Sequence, residues 1–218
     1  MRLPDRVCLV ALALVLVQLA AVADEIQSAY ELATPCCESL SELRYEQLPV
    51  DRPALFEIDP KSQMFVFDTG RSFVLAVELP EREPPYTVQV RSYAAGDVIQ
   101  RSRVFYPAAL LLDADHRVLE SREPADLPVV KTSFGDARRE NHWGLPLRLE
   151  WDVLIDRPGT KYLVIHTTAS RLASRSFTTT RRPVPVILPG LVTALPGKKE
   201  EVGIAHSPVG RLALQVMP

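Results

Sequence analysis

The sequence predicts a mainly β fold, an antiparallel β-sandwich of the jelly-roll or immunoglobulin-like kind with one short N-terminal helix. Two observations predict it. The 218 residues include 19 prolines but only 9 glycines, and dispersed prolines interrupt helices and keep strands short. In addition, short segments in which apolar and polar residues alternate recur along the chain, separated by turns, and this arrangement is typical of antiparallel sandwiches.

The first 23 residues are expected to be a secretory signal peptide. Arg2 and Arg6 precede the apolar run Val7–Val17, and Ala21–Ala23 supplies the small residues of a cleavage site before Asp24. The apolar run is too short for a comfortable membrane span. The mature chain is therefore predicted to be exported and to contain no membrane span.

The mature chain is predicted to hold an N-terminal segment, 24–54, and one sandwich domain, 55–218. The short helix is placed in the N-terminal segment at Cys37–Leu48, because three leucines there have the spacing of one helical face. Pro49 would end this helix.

Eight segments after this helix have strand composition or period-two alternation. In Tyr86–Ser92 the alternation predicts that Tyr86, Val88 and Val90 face the core. Leu163 is predicted to lie in a central strand, and Trp151 in the core. The eight segments are Met64–Phe67, Ser72–Leu79, Tyr86–Ser92, Ala108–Leu112, Arg117–Ser121, Leu147–Ile155, Lys161–Thr167 and Arg211–Val216.

Residues 173–200 lack a clear period and are predicted to form an irregular surface connection within the sandwich domain. Prolines and a Pro189–Gly190 pair interrupt this stretch. Within it, Val184–Leu188 has the composition of an edge strand.

Cys36 and Cys37 are the only cysteines after the signal peptide, and they are adjacent. Neighbouring cysteines cannot close an ordinary loop, so three states remain open: a vicinal disulfide, a bond to another molecule, or two thiols. No histidine lies nearby at a metal-ligand spacing. The sequence indicates no metal site and no cofactor.

Asp113 and Asp115 place two carboxylates in one turn. Calcium coordination is one interpretation, but the spaced loop of a known calcium motif is missing. The preferred interpretation is that aspartate stabilises the turn through backbone hydrogen bonds. His166 alternates with Leu163 and Ile165 and is expected to point outward. Since no G-x-S-x-G motif occurs, we predict no catalytic residues and a protein that is not an enzyme.

Trp143 is the strongest candidate for ligand contact. It lies in a polar segment with Asn141 and Arg139. An aromatic face can stack on a sugar ring while neighbouring polar groups bond its hydroxyls. The alternative is that Trp143 packs against the sandwich edge. The formal net charge of −2 gives no basic excess for a phosphate backbone, so nucleic acid is not an expected partner.

Several short motifs occur in an order that resembles a known family. They are Cys36–Cys37, Phe56–Asp59, the aromatic-glycine pattern of 65–73, Tyr106–Pro107, and the glycine and leucine pattern of 203–216. In this order they are similar to the MalM family, periplasmic proteins of bacterial maltose operons.

The resemblance implies a Gram-negative periplasm and an association with carbohydrate uptake, without an established catalytic activity. The expected function is a non-enzymatic accessory protein of maltose or maltodextrin uptake, with maltodextrin or another carbohydrate as ligand. The alternative is an envelope interaction module whose partner is a transporter or porin.

Overall fold

The computed structural model describes residues 25–132, 146–188 and 191–217. The helices are α1, residues 25–32, and α2, Ala169–Leu172, with 3-10 turns at Leu40–Glu42 and Ile99–Arg101. The strands are β1 Glu46–Gln47, β2 Ala54–Ile58, β3 Met64–Phe67, β4 Gly70–Phe73, β5 Leu75–Glu78, β6 Tyr86–Tyr93, β7 Arg103–Phe105, β8 Ala108–Leu112, β9 Val118–Arg122, β10 Val129–Lys131, β11 Leu147–Ile155, β12 Tyr162–His166, β13 Arg175–Leu188, β14 Leu191–Ser207 and β15 Gly210–Met217.

Two five-stranded sheets form a β-sandwich. Sheet 1 has the order β1-β5-β12-β8-β9, and sheet 2 has the order β10-β11-β6-β15-β2. Their facing side chains form one continuous core that includes Leu163 and Leu111 from sheet 1 and Val90, Val153 and Leu214 from sheet 2. The predicted sandwich is therefore confirmed, whereas its jelly-roll or immunoglobulin-like topology stays a prediction.

The side chains that were predicted to face the core do so in both sheets. Tyr86, Val88 and Val90 are buried on β6. Leu163 is fully buried in the middle strand of sheet 1, where β12 pairs with β5 and β8. Trp151 is half-buried and packs against the main core. The strand composition thus placed these side chains correctly.

The outer face of sheet 1 is also covered. Ala76, Leu110 and Val164 project from it into a second apolar cluster that Val74, Leu43 and the β3–β4 hairpin close. Burial on both faces of a sheet removes the alternation between apolar and polar residues. Consequently, period-two arguments about which face is exposed fail for this sheet.

The helix predicted at Cys37–Leu48 is wrong. Only a 3-10 turn forms there, at Leu40–Glu42, followed by β1, and the N-terminal helix is α1 instead. The reason is that the leucines serve two different cores. Leu43 packs on the outer face of sheet 1, whereas Leu48 reaches the main core, which one helical face could not achieve.

The irregular connection predicted for 173–200 is also wrong. The stretch is a long antiparallel hairpin of β13 and β14, and with β7 it forms sheet 3, in the order β13-β14-β7. β7 pairs in parallel with β14 at Ala205–Ser207. The predicted edge strand Val184–Leu188 lies within β13, which is the edge of this sheet.

Within the described residues, no helix is both long and apolar enough to cross a membrane.

Candidate functional site

A cavity of about 670 Å³ lies between the β13–β14 hairpin and the edge of sheet 2. Its volume falls in the range of small-molecule sites, about 300–1,000 Å³. It is called the root cavity here, because the hairpin leaves the sandwich at this point. Among the described residues, those that line it are Ile99, Lys131, Pro146, Leu147, Thr178, Thr179, Thr180, Arg181 and Lys199.

The wall of the root cavity combines hydrogen-bond donors with an apolar patch. Lys131, Arg181 and Lys199 bring three cationic side chains, and the run Thr178–Thr180 brings hydroxyl groups that donate and accept. Leu147 is buried and adds apolar surface. This set suits a polyhydroxylated ligand whose oxygens accept hydrogen bonds and whose C–H face needs an apolar contact.

Strand register brings these groups together. Arg181 pairs with Lys199 across the hairpin, and Lys131 pairs with Leu147 at the edge of sheet 2. The four residues come from β10, β11, β13 and β14, so no local sequence motif joins them. A run of three threonines before an arginine pair was the one sequence signal for this wall.

The predicted sugar-contact residues Trp143, Asn141 and Arg139 lie outside the described residues. Both ends of the segment that contains them are described. The Thr132 amide donates to the Pro146 carbonyl at 2.9 Å, and Pro146 itself lines the root cavity. The prediction for these three side chains therefore stays open.

A buried polar cluster around His206 supports the hairpin beside the root cavity. Nδ1 lies 2.6 Å from the Arg171 carbonyl, and Nε2 lies 3.0 Å from the Ser176 hydroxyl. Because the carbonyl can only accept, Nδ1 carries the proton and Nε2 accepts from Ser176. Burial lowers the pKa of His206.

The Ser176–His206 pair differs from a catalytic triad. Ser176 is only 7% exposed, and a backbone carbonyl occupies the position that a carboxylate has in a triad.

Arg171 on α2 ties the same region to the sandwich. Its guanidinium lies 4.6 Å from the centre of the Tyr106 ring. Its Nε donates to Glu123 at 2.7 Å, and its terminal nitrogen donates to the Pro124 carbonyl at 2.7 Å. Charge-assisted hydrogen bonds of this kind are stronger than neutral ones. They hold the start of the hairpin against the β9–β10 connection.

The prediction that His166 points outward is wrong. His166 is 2% exposed and stacks against Phe67 with ring centres 4.2 Å apart. The β3–β4 hairpin covers it. Burial lowers the pKa of His166 to about 4, and its Nε2 has no hydrogen-bond partner among the described residues.

The acidic turn at Asp113 and Asp115 is stabilised by hydrogen bonds from the backbone, as the preferred interpretation predicted. Asp113 Oδ1 accepts from the amides of Asp115 and Arg117, at 2.8 and 2.9 Å. Asp115 forms an exposed ion pair with Arg117. In the described part of the chain no three aspartate, glutamate, histidine or cysteine side chains cluster as metal ligands.

Three rings form a half-buried stack at the same end of sheet 1. The His116 and Tyr162 rings are stacked, with centres 4.4 Å apart, and Tyr45 lies 4.4 Å from Tyr162. Burial raises the pKa of Tyr45 to about 12. Since the rings cover each other's faces, this ring stack offers less free aromatic surface than three separate rings would.

Cys36 and Cys37 are joined as a vicinal disulfide in the structure. The Cys36 amide donates to the Met64 carbonyl at 2.8 Å, and Cys37 packs against the cluster on the outer face of sheet 1. This places the pair at the start of the segment that covers that face.

Residues 69–216 match the family model described as maltose operon periplasmic protein precursor, MalM. No significant match was found among curated proteins or among solved structures. The matched region includes β4 to β14, β15 up to residue 216, and every described residue that lines the root cavity.

Proposed function

Since this chain belongs to the MalM family of periplasmic maltose-operon proteins, we propose that it is a non-enzymatic accessory protein of maltodextrin uptake that binds carbohydrate in the root cavity. The observation that carries the proposal is the lining of this cavity. It joins three cationic side chains, three hydroxyls and an apolar wall in a volume suited to a short oligosaccharide.

The chemistry of the lining matches that of a glucan. Each sugar hydroxyl can accept from Lys131, Arg181 or Lys199 and can donate to a threonine oxygen. The apolar wall at Leu147 can pack against the C–H face of a sugar ring. Because Lys131, Arg181 and Lys199 are exposed, they can donate to a neutral ligand while staying partly solvated, so they need no buried countercharge.

The buried state of the serine–histidine pair supports the non-enzymatic part of the proposal. A nucleophile must reach the bond that it attacks, and Ser176 and His206 are each 7% exposed. Both side chains are also engaged with each other and with the Arg171 carbonyl. Their role in the proposal is to hold the hairpin in position.

Isothermal titration calorimetry with maltose, maltotriose and maltoheptaose tests this function. We expect binding of at least one of these sugars by the wild-type protein, and binding at least tenfold weaker by a Thr180→Val/Lys199→Met double variant. Arg52→Met/Lys61→Met is the control for charge, because both side chains are exposed and outside the cavity lining. Wild-type protein that binds none of the sugars, or a double variant that binds normally, would overturn the proposal.

A transporter or porin of the envelope is the partner in a second candidate function. Phe177 favours it, because this large aromatic side chain on β13 is 59% exposed, and exposed aromatic residues are enriched in protein interfaces. A photo-crosslinking residue at position 177, with one at exposed Leu154 as control, would test it in cells. Recovery of one membrane protein from position 177 only is the expected result.

A further inference from the structure

The charged side chains that line the root cavity are all of one sign. Lys131, Arg181 and Lys199 line it, and none of the other described lining residues is acidic. Glu200 and Glu201 follow Lys199 in β14, but neither lines the cavity. The ion pairs of the described residues involve none of these three cations. The cavity therefore has a positive wall without a described carboxylate to neutralise it.

Strand pairing places two of the cations next to each other. Arg181 lies directly opposite Lys199 in the β13–β14 ladder. In an antiparallel pair, directly opposite residues have Cα atoms about 4.5–5.5 Å apart, and their side chains leave the same face of the ladder. Like charges in this arrangement repel each other and destabilise the pair. A bound anion between the two side chains would remove that repulsion.

The positive wall is a local feature of a chain that is not basic. The formal net charge of the whole chain is −2, so a general excess of cations does not explain three of them in one cavity. Lys131 belongs to β10 at the edge of sheet 2, whereas Arg181 and Lys199 belong to sheet 3. The fold thus brings cations from two sheets to one place. A cleft lined by one sign of charge concentrates ligands of the opposite sign.

The groups beside the cations fit a sugar better than a bare ion. Thr178–Thr180 supply hydroxyls, and Ile99 and Leu147 supply apolar surface. A volume of about 670 Å³ is that of a small-molecule site, so a sugar has room beside an anionic group. The planar guanidinium of Arg181 matches the geometry of phosphate and carboxylate oxygens.

We propose that the root cavity binds a saccharide that carries an anionic group, a phosphate or a carboxylate, in preference to a neutral glucan. This inference rests on the proposed function, because it takes the root cavity as a carbohydrate site and names the class of carbohydrate. The anionic group lies between Arg181 and Lys199 and accepts charge-assisted hydrogen bonds from both. Lys131 adds a third positive charge. The sugar hydroxyls meet the threonines, and its C–H face meets the apolar wall.

Calorimetric titration with matched sugars tests the preference. Maltose is neutral, maltose 1-phosphate carries a phosphate, and maltobionate carries a carboxylate. The wild-type protein should bind at least one of the two anionic sugars about tenfold more tightly than maltose, since charge-assisted hydrogen bonds are about twice as strong as neutral ones. The ratio of the two Kd values should fall as salt is raised, because the three cations are exposed and salt screens exposed charges. The tighter of the two anionic sugars identifies the anionic group.

Arg181→Gln/Lys199→Gln removes both charges but keeps amide groups that donate hydrogen bonds. The ratio of the Kd values for maltose and the preferred anionic sugar should fall to near one. Because the like-charge pair is gone, the variant without ligand should melt at a temperature no lower than that of the wild type. Arg52→Gln/Lys61→Gln is the matched control, because it removes the same charge from two exposed side chains outside the cavity lining. This control should keep the wild-type ratio.

The outcomes separate this inference from the proposed function. Binding of maltose with no gain for either anionic sugar would overturn the inference and leave the proposed function in place. Binding of the anionic sugars alone would support the inference and remove neutral maltodextrin as the ligand. Inorganic phosphate that binds as tightly as maltose 1-phosphate would overturn the saccharide part. An anionic preference unchanged in Arg181→Gln/Lys199→Gln would place the anionic group elsewhere and overturn the proposal.

Discussion

The sandwich and the β13–β14 hairpin are both antiparallel β structure, but they differ in what stabilises them. Sheets 1 and 2 share a sealed core in which Leu163, Leu111 and Leu214 are fully buried. The hairpin has a large exposed aromatic side chain, Phe177, and the pairs of its outer half join only its own two strands among the described pairings. An isolated two-stranded hairpin is marginally stable in water.

The difference indicates a division of roles. A buried core opens rarely, so its strands form a rigid support. The side chains at the surface of a hairpin are accessible and can contact other molecules. The root cavity lies at the junction of the hairpin with sheet 2. We therefore propose that the sandwich supplies stability and that the root of the hairpin supplies recognition.

The largest expected effect separates the two regions directly. Leu163→Ala should lower the free energy of unfolding by about 2–5 kcal/mol, the usual cost of a buried leucine truncation. Phe177→Ala, at a position 59% exposed, should change it by less than about 0.5 kcal/mol. Urea unfolding measures both. Equal losses of unfolding free energy in the two variants would show that the hairpin is part of the same cooperative core.

Acid should destabilise the sandwich through His166. Its pKa is lowered by burial to about 4, so as the pH falls from 6.5 towards 4 the unfolded chain takes up a proton before the folded chain does. Stability should therefore fall with pH, by about 2 kcal/mol at pH 5 from this group. Burial of His206 lowers its pKa in the same direction and adds to the loss.

The pH dependence of urea unfolding, compared between wild type and His166→Gln, isolates the contribution of His166. Between pH 6.5 and 5 the variant should lose less unfolding free energy than the wild type, whatever its stability at neutral pH. An unchanged slope would mean that His166 is accessible to protons in the folded state, which contradicts its position beneath the β3–β4 hairpin.

The smallest expected effect concerns the vicinal disulfide. Its two cysteines are adjacent, so breaking the bond releases almost no loop entropy. Cys36→Ser/Cys37→Ser should therefore cost less than about 1 kcal/mol, mainly through the contact of Cys37 with the outer cluster. Thiol counting on the unfolded, unreduced protein should find no free thiols and a monomeric mass. Two free thiols, or a melting temperature lowered by more than 10 °C, would contradict this account.

The two regions also differ in how far the sequence predicted them. In β6, which buries one face along most of its length, buried and half-buried residues alternate, so the sequence period predicted the buried face. The outer face of sheet 1 could not be predicted, because Phe67 and Leu43 cover it from distant parts of the chain. The hairpin was missed because the prolines in β13 and β14 resemble breaks, although they occupy positions at which a ladder needs no donor.

The candidate site was less predictable than the fold. Lys131, Thr178–Thr180 and Lys199 meet only through strand pairing and through the approach of the hairpin to sheet 2. No residue spacing in the sequence predicts that these side chains lie close together. Trp143, Asn141 and Arg139 were chosen from local composition, and the ends of their segment do lie at the root cavity, but these side chains lie outside the described residues.

Hydrogen–deuterium exchange with and without maltoheptaose tests the division of roles most directly. We expect slower exchange in peptides covering Val129–Lys131, Thr178–Arg181 and 199–201, while β12 exchanges at the same rate in both states. Slower exchange confined to the ring stack at Tyr45 and Tyr162, or no change in any peptide at saturating sugar, would contradict the assignment of carbohydrate recognition to the root of the hairpin.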